Sequence, residues 1–248
     1  YRAILVELVS QNYLNSDDVD RTVWKHSLKI VVPRLVRHDT AMLMIGGGDN
    51  SNQAISPPTD LAIQFSVTTN SVVAELGMVP NQPLTFATDS KPRWEDALIA
   101  YTWDKFFKTG ESRWPARMAM TKSATAAMTA IQRLLAEEDV TIKDFFVAGA
   151  SKRGWTTWTT AAVDDRVRAI APIVIDLLNI EPSFEHHWRV YGFWSPAIQD
   201  YVDMSTTDWW RSEESHALFD LVAPLSYRDR YTMPCLLYTS DAADEEDS

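Results

Sequence analysis

The chain has a single cysteine, Cys235, among its 248 residues. That excludes an internal disulfide framework and any zinc site built on several thiolates. Positive charge is also scarce: 23 lysines and arginines stand against 34 aspartates and glutamates, a formal net charge of -11. No broad positive field exists to hold phosphate backbones or anionic lipid heads, so nucleic acid and membrane surfaces fall to the bottom of the partner classes. No run approaches the roughly 20 apolar residues of a membrane-spanning helix. Neither G-x-x-x-x-G-K-[ST] nor G-x-G-x-x-G occurs, and no cofactor is implied. The chain opens on Tyr1-Arg2-Ala3 with no basic-then-apolar leader, and its compartment is not legible from these residues.

What is present is enough apolar sequence, 46% of the residues, to bury the core of one domain. Val23 to Pro33 is rich in β-branched and aromatic residues and reads as a strand. Ala41 to Ile45, halted by Gly46-Gly47-Gly48, reads as a second and buried strand; Ser71 to Leu76 is a third. Between them, Thr59 or Asp60 caps a short helix running to about Thr68. Two helical stretches follow, Arg93 to Phe107 and Pro115 to Glu137, the second with Ala124, Ala127, Met128, Ile131, Leu134 and Leu135 on one stripe. Met118, Met120 and Met128 read as core filling. Asp144 to Gly149 is a buried strand, Lys152 to Ala162 a helix that starts at once, and Val167 to Ile175 a further strand closed by Asp176. This alternation predicts an α/β fold, a mostly parallel sheet with helices on both faces. From Leu177 to about Tyr227 the pattern breaks into polar and aromatic segments, read as a helical cap of about residues 177–227 within a domain of residues 1–234.

The sharpest local signal is Gly149-Ala150-Ser151-Lys152-Arg153-Gly154, between a buried strand and a helix. Such a turn projects a serine hydroxyl from the carboxyl edge of the sheet, and the small residues around it let the backbone turn that tightly. The glycine that G-x-S-x-G requires two positions after the serine is Arg153 here, with Gly154 one step later. A G-x-S-x-x-G turn with a cation after the serine resembles that of glucuronoyl esterases. On this reading Ser151 is a nucleophile; the plainer alternative is a serine that caps the following helix. The Lys152 backbone N–H, at the positive end of that helix, is the natural first donor to an oxyanion. The Gly46 to Gly48 loop, with Gly47 and Gly48 as candidates, is placed to supply the second. A glycine run there equally suits a plain tight turn, or a nest for phosphate, which the missing phosphate motifs disfavour.

A serine needs a base oriented by a carboxylate, and in this kind of fold the chain order is serine, acid, histidine. Asp176, at the end of a strand, is a weak acid candidate; Asp164 and Asp165 read as turn residues at the far end of their helix. The histidines after Ser151 are His186, His187 and His216, all inside the expected cap and read as surface or packing residues. Pairing His186 and His187 with Glu181 or Glu185 as metal ligands is disfavoured, because adjacent helical residues point about 100° apart and no H-E-x-x-H is present.

Taken together, Val23-Trp24-Lys25-His26, Ile45-Gly46-Gly47-Gly48, Gly149 to Trp155, and Tyr191-Gly192-Phe193-Trp194-Ser195-Pro196-Ala197 resemble the PhoPQ-activated pathogenicity-related family over nearly all of Val23 to Pro234. The resemblance implies an α/β-hydrolase fold in secreted or envelope-associated proteins, with Ser151 at the nucleophile position. It also places the acid and histidine on loops beyond a strand expected near Thr232. Cys235 to Glu245 resembles a translated sequencing adapter instead, so residues 235–248 read as a non-native tail, or more plainly as a solvated acidic one. The expectation is therefore a sheet with its last strands missing and an unpaired edge. Two functions stand side by side: a serine hydrolase acting on an ester or peptide bond of a small-molecule or peptide substrate, and a non-catalytic secreted signal that binds a cell-surface receptor.

Overall fold

The computed structural model describes residues 1–51, 54–89, 91–175 and 177–238. Its chain begins with β1 (Arg2–Asn12), β2 (Val23–Val32), β3 (Thr40–Ile45), helix α1 (Asp60–Thr69) and β4 (Val73–Leu76). A two-strand hairpin, β5 (Leu84–Thr85) and β6 (Pro92–Arg93), leads to α2 (Glu95–Thr109) and α3 (Ala116–Ala136). Then come β7 (Asp144–Ala150), α4 (Lys152–Val163) and β8 (Val167–Ile173).

Six strands form one mixed sheet in the order β1-β2-β4-β3-β7-β8. β1, β2 and β4 pair antiparallel in turn, while β4, β3, β7 and β8 run parallel. The period of two in β2 sends Trp24, His26, Leu28 and Ile30 to one face, where they are buried. On that face α3 lays down Met120, Ala124, Ala127, Met128, Ile131 and Leu135, all buried in the same large cluster. α1 packs on the opposite face, where a much smaller cluster joins Ala62 to Val31 and Val73. Thr59 caps α1, its Oγ1 accepting the Ala62 N–H at 3.2 Å.

These placements locate the site before any side chain is considered. The chain leaves β3 toward α1 on one face and leaves β7 toward α4, which packs beside α3, on the other. Adjacent parallel strands whose connections depart to opposite faces leave a crevice at their carboxyl ends, and that is where ligands bind in open α/β sheets.

The segment after β8 carries α5 (Ile180–Tyr191), α6 (Gln199–Asp203) and α7 (Glu213–Val222), with short 3-10 turns at Pro196–Ile198, Thr206–Trp209 and Pro224–Arg230. Aromatic contacts fasten it to the domain: Trp103 of α2 meets Tyr201 at 5.0 Å and Phe219 at 6.1 Å, and Phe107 stacks on Trp209 at 5.4 Å. The Trp155 indole N–H donates to the Val222 carbonyl at 2.6 Å.

The expected helix from Arg93 begins at Glu95, after a hairpin that takes up Arg93, and two further differences bear on the sheet. β1 is an additional edge strand. The expected unpaired edge at β8 is also corrected as far as Tyr238. Cys235 and Tyr238 bridge Ile170 and Ile173 in parallel, and the Ile170 N–H donates to the Pro234 carbonyl at 3.1 Å. That run satisfies the Ile170 N–H and carbonyl and the Pro172 carbonyl, because an extended chain of almost any composition supplies the same amides and carbonyls. Residues 239–248 lie outside the described residues.

Candidate active site

Ser151 is the one residue between β7 and α4, with φ 53° and ψ -124°. A side chain other than glycine adopts that backbone only when its surroundings over-determine it, at a cost of about 1–3 kcal/mol. Here the restraint is visible: the Ser151 N–H donates to the Ile173 carbonyl at 2.8 Å, and its own carbonyl accepts the Trp155 N–H at 3.0 Å. Its hydroxyl makes no capping bond to α4, so the capping alternative finds no support in this geometry, and the residue is exposed. The strain therefore presents a polar group to solvent at the crevice.

The two glycines of the turn are required by close approach. A Cβ on Gly149 would lie 2.6 Å from the Arg153 carbonyl oxygen, and one on Gly154 would lie 2.4 Å from Ile175 Cγ2. Helix and strand thus meet at the two glycines, and moving the second by one residue from G-x-S-x-G preserves that contact.

Both cations after the serine are engaged below the turn. Lys152 Nζ lies 2.9 Å from Glu95 Oε2 and 2.9 Å from Asp96 Oδ2. Its ammonium is thereby ion-paired, which leaves the backbone N–H as the group Lys152 presents at the helix start. Arg153 reaches Glu95 Oε1 at 2.6 Å and the Val79 carbonyl at 2.7 Å. Burial alone would raise the Glu95 pKa, but hydrogen bonds from Lys152 and Gln82 and the charge of Arg153 hold it below the usual carboxylate range. Asp200 is shifted the other way, first by burial and then by Asp96 and Asp203. The buried Arg117 donates to the Lys152 carbonyl at 3.1 Å and stacks its guanidinium 3.7 Å over Trp155.

The pairing of Ile45 with Gly149 brings the Gly46 to Gly48 loop out of the sheet at the same edge as the turn that carries Ser151. Gly47 packs against the Arg153 guanidinium, and Gly48 has a φ of 118°, where only glycine is at ease. The loop also walls a cleft of about 610 Å³ on the α1 side of the sheet. Its remaining wall includes the ion pairs Lys25–Glu7 and Lys29–Glu75, and Ser151 is not among its lining residues.

Asp176 lies outside the described residues. His187 Nε2 accepts the Ser195 N–H at 3.2 Å, His216 lies 3.3 Å from Glu181, and His186 is exposed. Among the described residues no histidine hydrogen-bonds Ser151. The braces Arg153, Glu95 and Gln82 were missed by sequence reasoning; the one available signal was the arginine standing where a glycine is expected. No described helix is long and apolar enough to cross a membrane.

Residues 1–245 match the model of a family described as PhoPQ-activated pathogenicity-related protein. The chain is 39% identical over 248 residues to Autocrine proliferation repressor protein A of Dictyostelium discoideum, covering 99% of this chain and 50% of that protein. It therefore spans about half the length of that curated relative. Among solved structures, acetyl xylan esterase from Paenibacillus sp. R4 aligns with TM-score 0.54 at 12% identity, over 95% of this chain and 72% of that one. Acetyl xylan esterase 1 of Thermoanaerobacterium sp. JW/SL YS485 aligns with TM-score 0.54 at 12% identity, over 97% and 81%. Acylaminoacyl peptidase of Pyrococcus horikoshii aligns with TM-score 0.54 at 10% identity, over 96% of this chain and 31% of that one. At such identities the likeness is one of fold, that of α/β-hydrolase esterases and peptidases.

Proposed function

The chain belongs to the PhoPQ-activated pathogenicity-related family, and from that premise we propose that it carries the nucleophile half of a serine hydrolase acting on an ester or peptide bond. The observation that carries this reading is the backbone of Ser151, held at φ 53° between β7 and α4 with its hydroxyl uncommitted to the helix. Ser151 Oγ adds to the substrate carbonyl carbon and gives up its proton to a base; the carbonyl oxygen becomes the oxyanion. The Lys152 N–H, with an amide of Gly47 or Gly48, receives that charge. Collapse expels a protonated alcohol or amine, and water then releases the acyl group and restores the serine. The aromatic segment of about residues 177–227 acts as the cap that shapes the substrate pocket.

Among the described residues no histidine hydrogen-bonds Ser151 to serve as its base. Removing the histidine of a serine triad costs about as much rate as removing the whole triad. Residues 1–248 alone are therefore expected to hydrolyse activated esters no faster than their Ser151→Ala variant. Covalent labelling by a fluorophosphonate, measured on this chain, on a full-length family member and on the matching serine variants, tests the reading. Serine-dependent labelling of the longer protein supports it; a longer protein that takes no label, with its serine intact, sinks it.

One observation favours a second reading. The relative at 39% identity is named an autocrine proliferation repressor. A non-catalytic secreted signal that binds a cell-surface receptor would need the fold and not the hydroxyl. It predicts that serine replacement leaves growth restraint intact in a cell-count assay.

A further inference from the structure

We propose that Arg153 is the positioning residue of the Gly46 to Gly48 loop, a role that rests on the oxyanion part of the hydrolase reading. Its guanidinium contacts three elements besides its own helix. Nε donates to the Val79 carbonyl at 2.7 Å, and Nη2 donates to Glu95 Oε1 at 2.6 Å. The same Nη2 lies against Gly47, where a Cβ would sit 2.7 Å from it and 2.9 Å from Cζ.

Val79 is itself bonded to the loop. The Met78 N–H donates to the Gly47 carbonyl at 2.7 Å and the Val79 N–H to the Gly46 carbonyl at 3.2 Å. Arg153 therefore holds the loop twice, directly by packing on Gly47 and indirectly through the segment after β4. The far end of the grip is fixed as well, since the Glu95 N–H donates to Gln82 Oε1 at 2.7 Å while Gln82 Nε2 donates to Glu95 Oε1 at 2.5 Å.

Arginine suits this position because its planar fork donates in two directions at once, which a lysine ammonium on a flexible stem does not reproduce. Charge balance is not the reason for it. Glu95 already has Lys152 at 2.9 Å. An oxyanion donor acts only if it is aimed before the reaction begins. The amides of Gly47 and Gly48 are aimed by the loop, and the loop is aimed by Arg153. The same account explains the motif: position 153 is taken by the brace, so the second glycine of the turn falls at Gly154.

The test uses residues 1–248 with R153A, R153K, E95Q, G47A and the double variant G47A/R153A. Backbone amide exchange is read at Met78 and Val79, with the Phe145 amide of β7 as internal reference. R153A and R153K are expected to speed exchange at Met78 and Val79 by about tenfold or more, as the loss of a charge-assisted hydrogen bond implies, and E95Q to do so far less. G47A is expected to disturb the loop when Arg153 is present and to add little in the R153A background, because the clash then has no partner. The proposal is overturned by unchanged exchange in R153A, by E95Q reproducing its effect, by additive effects of G47A and R153A, or by a rise shared equally with Phe145. Exchange is read whether or not Ser151 reacts. A brace that behaves as expected in a family whose serine takes no fluorophosphonate would keep Arg153 as the residue that holds the loop and remove the hydrolase reading together with the oxyanion role.

Discussion

Gly149 and Gly154 face each other across the turn that carries Ser151: a Cβ on Gly154 would lie 2.8 Å from the Gly149 carbonyl oxygen and 3.2 Å from the Ile173 amide nitrogen. Both contacts are with backbone, which cannot swing aside as a side chain tip does. Gly154→Ala is expected to lower stability by about 1–3 kcal/mol, the usual cost of forcing a methyl into a packed site. Denaturant midpoints measure it. An unchanged midpoint would mean that helix and strand do not need this approach.

Trp155 ties α4 to the helical segment after β8 by one hydrogen bond, from its indole N–H to the Val222 carbonyl at 2.6 Å. Trp155→Phe keeps an aromatic ring under Arg117 but leaves that carbonyl without its donor, an expected loss of about 1–3 kcal/mol. The loss should be local first, read as faster amide exchange in α7 and earlier proteolysis between residues 177 and 230. Equal acceleration throughout the sheet would contradict this anchoring.

His26 is buried under β1, with Ser10 Oγ 2.9 Å from Nε2 and the Gly77 carbonyl 3.2 Å from Nδ1. Burial, only partly opposed by backbone hydrogen bonds at Gly77 and Met78, pushes its pKa down to about 4 from 6.5. Below pH 6.5 the unfolded chain takes up a proton that the folded chain refuses. Stability should therefore fall as pH drops from about 6.5 toward 4, by up to about 3 kcal/mol from this residue. His26→Gln should be less stable at pH 7 yet show a flatter slope between pH 6.5 and 5. An identical slope in urea titrations of the two proteins would refute the assignment.

Much of the sheet was legible because its signals are local. The β-branched run of β2, the apolar run before Gly46 and the stripe along α3 each announce their own partner face. β1 gave no such signal. Its inward Ile4, Val6 and Leu8 alternate with outward Leu5 and Val9, which are exposed, so apolar residues occupy both phases. Farther along, Ser10 and Gln11 turn polar groups toward His26, Ser123 and the Ala119 carbonyl, which hides the period further.

The turn at Ser151 was legible for the same reason, since strand, small residues and helix are contiguous. Its support was not. Arg153 and Glu95 are 58 positions apart, and the positive φ of Glu95, 46°, has no signature in residue type. The pairing of residues 234–238 with β8 was missed because it depends on backbone groups, and side-chain patterns do not report those.

The two faces of the sheet are unequally filled, and this has a consequence for time rather than shape. On the α1 side the buried apolar cluster among the described residues is Val31, Ala62 and Val73, while Leu61, Phe65 and Val67 of the helix remain exposed. So little buried apolar surface lets α1 lift from the sheet at a free energy well below that of global unfolding. The chain that runs into α1 comes from the Gly46 to Gly48 loop. The helix and the loop are consecutive along the chain, and on the hydrolase reading proposed above the lifetime of an aimed oxyanion donor would be set in part by the opening rate of a helix on the far face.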